Sequence, residues 1–118
     1  IWTWTWIVPL YAMSRDFVMN NIWWKILLLN WNRTKADLYE LDSLEKLKNL
    51  NSNFDYKIFL SREKSQFENG YVIDFLTKEN ISKFIEFYIC WSPVMVESAC
   101  VILEKNWVEK SCIYTEKY

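Results

Sequence analysis

Residues 25–30 of the chain read KILLLN, a short run that is apolar on both faces of an extended strand. Such runs are typical of strands in parallel sheets, because both faces of those sheets are covered. FDYKIFL at 54–60 and FYIC at 87–90 are further strand candidates, and amphipathic segments separate the three runs. Alternation of short strands with helices predicts an α/β fold, in which helices cover both faces of a parallel sheet.

Outward from KILLLN, the remaining pattern completes five strands and the helices that join them. The strands are predicted at 1–3 (a truncated first strand), 25–30, 54–60, 87–90 and 113–117. Long helices are predicted from Pro9, from a cap at Asp42 or Ser43 through Leu50, and over 93–106. Short helical pieces are predicted at 35–39, 72–76 and 81–84, and a polar loop over 61–70. The side chains expected to be available for burial are Leu44 and Leu47 in the second helix and Val94, Ala99, Val101 and Ile102 in the last.

Composition and charge exclude several classes of protein. The chain has 118 residues, 52% hydrophobic and 25% charged, which is an ordinary composition for one folded domain. A net charge of −1 implies no attraction to nucleic acid, and the absence of histidine excludes a histidine triad or a zinc site with a histidine ligand. The longest apolar run is too short to span a bilayer, which needs about 20 residues.

The cysteines and the first residue bear on compartment and completeness. Cys90, Cys100 and Cys112 are an odd number without a Cys-x-x-Cys pair, so we expect reduced thiols, no metal site and a cytoplasmic protein. The chain begins at Ile1 within an apolar stretch, and we expect it to be a fragment of a longer protein.

The content of glycine and tryptophan is unusual. A chain of this length holds roughly eight glycines at the average usage of about 7%, but this one holds only Gly70, together with eight tryptophans. All eight lie at predicted turns or at the ends of predicted elements, where glycine is common: Trp2, Trp4, Trp6, Trp23, Trp24, Trp31, Trp91 and Trp107. Trp107 follows the last long helix, at the usual position of a C-terminal glycine cap.

With glycine at these positions, IWTWTWIVP (1–9) becomes IGTGTGIVP and FYICWSPVM (87–95) becomes FYICGSPVM. These two segments, and the closing Glu-x-aromatic at 116–118, resemble the nucleotide-binding domain of the ferredoxin–NADP reductase family. The resemblance covers the whole chain in the right order and implies a five-stranded, doubly wound sheet in the order 3-2-1-4-5. It also implies that residues 1–118 follow an FAD-binding barrel, whose Arg-x-Tyr-Ser type of motif does not occur here.

The resemblance implies a part of a flavoenzyme that binds NADH or NADPH and positions the nicotinamide for hydride transfer to FAD. It places Thr3, Trp4, Thr5, Trp6 and Pro9 at the dinucleotide, Arg33, Ser61, Arg62 and Tyr71 at its adenosine half, and Cys90, Trp91, Pro93, Met95, Glu116 and Tyr118 at the nicotinamide and flavin. Cys90, Glu116 and Tyr118 are the expected catalytic residues. Simpler roles stay open: Thr5 as a helix cap, Cys90 as a buried thiol, Arg33 as a solvated charge and Tyr118 as an exposed strand end.

The same resemblance bears on the coenzyme and the partners. The family's lysine two residues before Tyr71 is replaced by Asn69, which favours NADH slightly, although Lys64 is a candidate substitute. The expected partners are the FAD domain of the same full-length chain and an electron acceptor such as a ferredoxin, another iron–sulfur protein, a quinone or an oxygenase component. The chain alone is not expected to complete a turnover.

Two explanations of the tryptophans lead to different functions. We favour a gene whose UGA codons specify glycine, translated here with a code that assigns tryptophan; the abundance of Lys, Asn and Ile fits an AT-rich gene. Alternatively the tryptophans are genuine, Trp4 and Trp6 fill the phosphate path, and the chain is a non-catalytic aromatic-rich binding module or a degenerate domain. A contiguous platform of exposed tryptophans would support the binding module, and tryptophans scattered over separate loops and clustered round a nucleotide-shaped cleft would support the nucleotide-binding half of a flavin reductase.

Overall fold

The computed structural model describes residues 7–21, 23–38 and 41–117 of the chain. The backbone contacts divide the chain into two compact units, residues 1–72 and 73–118, which are described separately. None of the described helices combines the length and the hydropathy needed to cross a membrane.

The first unit is a parallel sheet with helices between its strands. Its elements are helix α1 (Ile7–Met19), strand β1 (Ile26–Asn32), a 3-10 turn (Lys35–Asp37), helix α2 (Leu41–Leu50), and strands β2 (Phe54–Leu60) and β3 (Glu68–Asn69). The strand order is β1-β2-β3, and both pairs are parallel. Helix α1 begins at Ile7, two residues before the predicted start; Pro9 is tolerated there because the first-turn amides have no partner within a helix.

Both helices of the first unit pack on the same face of β1 and β2. Leu28 and Tyr56 are register partners, so Leu28, Phe54 and Tyr56 point to one face. One apolar cluster joins that face to both helices through Ile7, Val18, Leu28, Leu44, Leu47 and Phe54. The predicted inward positions of Leu44 and Leu47 are therefore confirmed.

The second unit pairs two parallel strands beneath one long helix. Its elements are helix α3 (Val72–Phe75), which begins at the boundary, helix α4 (Lys78–Ile81), strand β4 (Phe87–Trp91), helix α5 (Pro93–Lys105), a 3-10 turn (Lys110–Cys112) and strand β5 (Ile113–Lys117). Strands β4 and β5 pair in parallel from Phe87–Ile113 to Trp91–Lys117, and α5 contacts both.

The predicted inward face of the last helix is wrong in part. Val94 and Val101 are 70% and 50% exposed, whereas Ala99 is buried as expected. The buried side chains are Val96, Ala99 and Leu103, which recur at helical spacing. Because Val94 and Val101 are seven residues apart, they share a second stripe that the packing leaves outward.

The predicted strands are found wherever the structure describes them, but not as one sheet. The neighbours expected at 25–30 and 54–60, and at 87–90 and 113–117, do pair, within separate sheets of three and two described strands. The first predicted strand, residues 1–3, lies outside the described residues, so the order 3-2-1-4-5 and helices on both faces stay predictions. Strand β3 was not anticipated in the polar loop. The helix expected at 81–84 lies at 78–81, because the Thr77 hydroxyl accepts a hydrogen bond from the Asn80 N–H at 3.3 Å and caps it there.

Candidate functional site

The carboxyl ends of β1 and β2 lie side by side, and their hydrogen bonds continue past the strands. The Ser61 N–H donates to the Asn32 carbonyl at 3.2 Å, and the Arg62 N–H donates to the Arg33 carbonyl at 3.0 Å. Ligands of open parallel α/β sheets bind outside the carboxyl ends of the strands. This edge therefore brings together Arg33, Ser61 and Arg62, three of the residues predicted to bind nucleotide.

Tyr71 reaches the same edge through the short strand β3. Gly70 has a φ of 100°, a conformation that glycine adopts without a Cβ clash, and its N–H donates to the Leu60 carbonyl at 3.0 Å. The next residue, Tyr71, stacks on Trp31 at the end of β1, with ring centroids 5.7 Å apart and planes inclined by 19°. The fourth predicted residue of the adenosine half thus lies beside the ends of the strands.

The charges at this edge are mainly positive. Arg33 and Arg62 are exposed, and within the described part of the chain neither guanidinium has a carboxylate at ion-pair distance. The Glu63 carboxylate accepts a hydrogen bond from the Lys35 N–H at 2.7 Å and so ties the loop after β2 to the loop after β1. A phosphate oxygen is a suitable partner for exposed guanidinium groups.

Asn32 Nδ2 and Ser61 Oγ are buried at the same edge, and neither has a hydrogen-bond partner among the described residues. Asn32 is only 3% exposed. An unmade hydrogen bond of this kind costs about 1–3 kcal/mol, so each atom is suited to a bond with a bound molecule. Asn32 is the register partner of Leu60 and shares the helix-covered face, whereas Ser61 follows Phe59 on the face that carries Trp31.

A second group of predicted residues lies where β4 enters α5. Cys90 is buried, and it is the register partner of Glu116, so two of the predicted catalytic residues lie opposite each other on neighbouring strands. Trp91, half-buried, ends β4, and Pro93 is the first residue of α5. Met95, also half-buried, follows in the first turn of that helix. None of the three cysteines forms a disulfide.

Other predicted residues remain without structural information. Thr3, Trp4, Thr5, Trp6 and Tyr118 lie outside the described residues, so their roles stay predictions. Pro9 is the third residue of α1. In the described ranges, no group of three acidic, cysteine or histidine side chains is placed to hold a metal ion.

Trp107 has the backbone of a glycine. Its φ is 67°, its N–H donates to the Glu104 carbonyl at 3.1 Å, and the Val108 N–H donates to the Leu103 carbonyl at 3.1 Å. These are the two bonds of the Schellman motif, in which the residue at this position is usually glycine. The indole is 91% exposed. The predicted glycine-type position of Trp107 is confirmed.

The described tryptophans lie at separate turns and strand ends. Trp23 and Trp24 follow α1 and contact each other edge to face, with centroids 5.6 Å apart. Trp31 is the last residue but one of β1, Trp91 is the last residue of β4, and Trp107 follows α5. No stretch of the described chain carries more than two of them, so the described residues form no contiguous platform of tryptophans along the sequence.

A family model described as the oxidoreductase NAD-binding domain matches residues 3–101. The chain belongs to this family. The matched segment contains the predicted site residues from Thr3 to Met95. The predicted resemblance is confirmed. A curated member, the anthranilate 1,2-dioxygenase electron transfer component of Acinetobacter baylyi, is 28% identical over 88 residues, which are 72% of this chain and 26% of that protein. The chain spans about a quarter of the length of that relative.

Solved structures show the same fold. The cytochrome P450 reductase GcoB of Amycolatopsis has a TM-score of 0.83 at 23% identity, over 94% of this chain and 34% of its own. The CS-b5R domains of human Ncb5or, in the NAD+ form, have a TM-score of 0.79 at 21% identity, over 94% of this chain and 34% of that one. The FAD/NAD binding domain of a Vibrio cholerae nitric oxide dioxygenase gives 0.79 at 13%, over 96% and 47%. The predicted α/β fold, with parallel strands and helices, is thereby confirmed.

Sequence reasoning missed three features of the edge: strand β3, the Trp31–Tyr71 stack and the buried Asn32. The Asn-Trp-Asn-Arg segment at the end of a strand was a signal for a polar site, although burial of the second Asn is a tertiary property. Gly70 before Tyr71 was a signal for a turn. The pairing of β3 with β2 had no signal in the sequence, because two exposed polar residues, Glu68 and Asn69, carry no pattern.

Proposed function

We propose that this chain is the NADH-binding module of a flavin-dependent electron-transfer oxidoreductase, with its FAD held by another domain of the same full-length chain. The observation that carries the proposal is the convergence of Arg33, Ser61, Arg62 and Tyr71 at the carboxyl edge of a family member's sheet. When bound, the nicotinamide supplies a hydride that passes from its C4 to N5 of the flavin.

The residues of the chain bind and orient the coenzyme. Arg62 and Ser61 supply a guanidinium and a hydroxyl for oxygens of the adenosine half, and Tyr71 supplies a ring face for the base. Cys90 would contact the nicotinamide and orient it, and Glu116 is the register partner of Cys90 on β5. Orientation of this kind is the contribution of a protein whose cofactors hold the reactivity.

The coenzyme is NADH and not NADPH. Asn69 stands where a lysine would pair with a 2′-phosphate, and it lies exposed in β3. The Glu63 carboxylate, next to Arg62, is held at the edge by the Lys35 N–H. A negative charge there opposes a doubly charged 2′-phosphate and accepts a hydrogen bond from a 2′-hydroxyl.

The electrons pass from the flavin to an acceptor such as a ferredoxin, an iron–sulfur protein or an oxygenase component, and the enzyme works in the cytoplasm. The relative from Acinetobacter is named as the electron transfer component of a dioxygenase. This name favours an oxygenase component as the acceptor. The support is a matching segment that covers 26% of that relative.

Titration of the chain with its eight tryptophans replaced by glycine tests the binding step. We expect saturable binding of NADH, at least tenfold weaker binding of NADPH, and about tenfold weaker binding of NADH by Arg62→Ala, which removes a charged contact worth about 1.4 kcal/mol. Arg15→Ala, which removes an exposed guanidinium from α1, is the matched control and leaves the affinity unchanged. Absence of NADH binding to the glycine chain would overturn the proposal.

Hydride transfer is tested in the full-length protein by the loss of oxidised-flavin absorbance after mixing with NADH. Cys90→Ala is expected to slow this phase about tenfold or more with little change in the affinity for NADH, because it misaligns the ring. Cys100→Ala, a half-buried thiol in α5, is the matched control and leaves the rate unchanged. Equal effects of the two substitutions would assign Cys90 to packing alone.

A second function follows if the tryptophans are genuine. Trp107 and Trp23 are 91% and 81% exposed, as the side chains of an aromatic-rich binding module would be. In that case the chain as printed binds no NADH, and the indole fluorescence responds to a carbohydrate or protein partner instead.

A further inference from the structure

We infer that the indole of Trp31 occupies the place of the adenine ring, so that Trp31 closes the adenosine half of the site in the chain as printed. The inference rests on the proposed function and names the residue that decides whether the edge of β1 and β2 accepts a nucleotide. The geometric basis is the Trp31–Tyr71 stack, with centroids 5.7 Å apart and planes inclined by 19°.

The indole of Trp31 has the shape and the position that an adenine ring would need at this edge. An indole is a flat, fused bicyclic ring of nearly the size of a purine, and flat rings of this kind stack on tyrosine. Trp31 is the last residue but one of β1, at the edge where ligands of parallel sheets bind. A purine that uses the same face of Tyr71 has to displace this indole.

The polar groups around the Trp31–Tyr71 stack match the remaining parts of a nucleotide. Ser61 lies on the Trp31 face of the sheet, and its Oγ is shut off from solvent with no hydrogen-bond partner among the described residues. Arg33 and Arg62 stand at the ends of the same two strands without a carboxylate at ion-pair distance in the described chain. A flat ring face, a hydroxyl and two guanidinium groups match the base, ribose and phosphate of an adenine nucleotide.

Replacement of Trp31 by a residue without a large side chain therefore opens the site. The ring face of Tyr71 becomes available to a base, and the Ser61 hydroxyl becomes available to a ribose or phosphate oxygen. The probe is 5′-AMP, because it carries these three groups and no nicotinamide.

Calorimetric titration with 5′-AMP tests the inference on the printed chain, Trp31→Gly and Trp31→Ala. We expect both variants to bind AMP at least tenfold more tightly than the parent. Trp23→Gly, which removes an exposed indole outside the site, is the matched control and leaves AMP binding at the parental level. Tyr71→Ala in the Trp31→Gly background is expected to abolish the gain, and circular dichroism confirms that each variant is folded.

Two results would overturn the inference. Equal or weaker binding of AMP by the Trp31 variants would show that the indole supports Tyr71 from behind, while the base uses the other face of a ring that is 48% exposed. A gain that survives Tyr71→Ala would place the nucleotide elsewhere. The chain with all eight tryptophans replaced separates this failure from failure of the proposed function: if it binds NADH while Trp31→Gly leaves AMP binding unchanged, only the inference about Trp31 fails.

Discussion

The left-handed backbone of Trp107, with a φ of 67°, places a large side chain where the Cβ clashes with the backbone. This conformation costs a residue other than glycine about 1–2 kcal/mol. Because the indole is 91% exposed, its removal sacrifices little packing. We therefore predict that Trp107→Gly raises the free energy of unfolding by about 1 kcal/mol, measured by urea denaturation.

Two controls separate the backbone effect from loss of the indole. Trp107→Ala keeps the Cβ in the left-handed region and is expected to give little of the gain. Trp23→Gly removes another highly exposed indole, from a residue that lies outside the left-handed region, and is expected to lower stability by a few tenths of a kcal/mol. A gain of equal size in all three variants would assign the effect to the loss of exposed apolar surface.

At the level of single residues, the sequence predicts backbone roles better than side-chain contacts. Trp107 was identifiable because a helix must end and its last carbonyls need partners, which is a local requirement. The stack of Trp31 on Tyr71 joins residues 40 positions apart through the path of a polar loop, and no local rule describes that path. Asn32 is the same case, since its burial depends on the helices that cover β1.

The junction of helix α2 with strand β2 carries a compact polar network. The Tyr56 hydroxyl donates a hydrogen bond to Glu45 of the helix, and the Lys48 ammonium lies 3.0 Å from the Asp55 carboxylate. Lys48 also lies 5.8 Å from the centroid of the Tyr56 ring. Burial, followed by the Glu45 carboxylate, raises the pKa of Tyr56 well above its ordinary value of 10.0. Burial raises the pKa of Asp55, but bonds from Lys48 and the Tyr56 N–H outweigh it and lower the pKa below 3.8.

The raised pKa of Tyr56 predicts an alkaline loss of stability. A group whose pKa is higher in the folded state contributes stability that is complete below its unfolded pKa, here 10.0, and that disappears as the pH rises through the folded pKa. We expect the free energy of unfolding, measured by denaturation at successive pH values, to fall above about pH 10. In Tyr56→Phe this fall is smaller.

Tyr11→Phe is the control for this network, because Tyr11 lies half-buried in α1 and its hydroxyl takes no part in the α2–β2 junction. The control keeps the alkaline fall of the parent. An identical pH profile for the parent and Tyr56→Phe would show that the Tyr56–Glu45 bond does not persist in solution.

Elements with a strong pattern were predictable, and weak ones were not. Apolar runs between amphipathic segments predict strands β1, β2, β4 and β5. The predicted bounds of these strands agree with the observed bounds to within two residues. In α5, several apolar residues offered two possible stripes, and only packing chose Val96, Ala99 and Leu103 over Val94 and Val101. Helix α4 was displaced by three residues, because a threonine cap outweighed a weak apolar signal.

For the whole molecule, the order of motifs identified the family where no single motif would have sufficed. Short segments such as Cys-x-Ser-Pro at 90–93 or Ser-Arg at 61–62 occur by chance in many chains. Their succession along a repeated strand–helix pattern is far more specific, and the family model spans residues 3–101. The structure adds what order cannot supply, namely that Ser61 and Arg33 meet at one edge and that Cys90 and Glu116 share a register position.

The distribution of the tryptophans makes one prediction about the gene: all eight codons are UGA, in a genome that reads UGA as glycine. Trp107 has a glycine backbone, three of the five described indoles are exposed, and glycine at all eight positions would bring the content close to the average of about 7%. Genuine tryptophans have no reason to concentrate at turns, because they contribute most when buried. The test is the source DNA, with the codon of Gly70 as the internal control, expected to be an ordinary glycine codon because a UGA there would read as tryptophan. A UGG codon at position 107 would establish a true tryptophan there. The left-handed backbone of Trp107 would then destabilise the fold without a compensating glycine, and the indole would need a function that explains its retention.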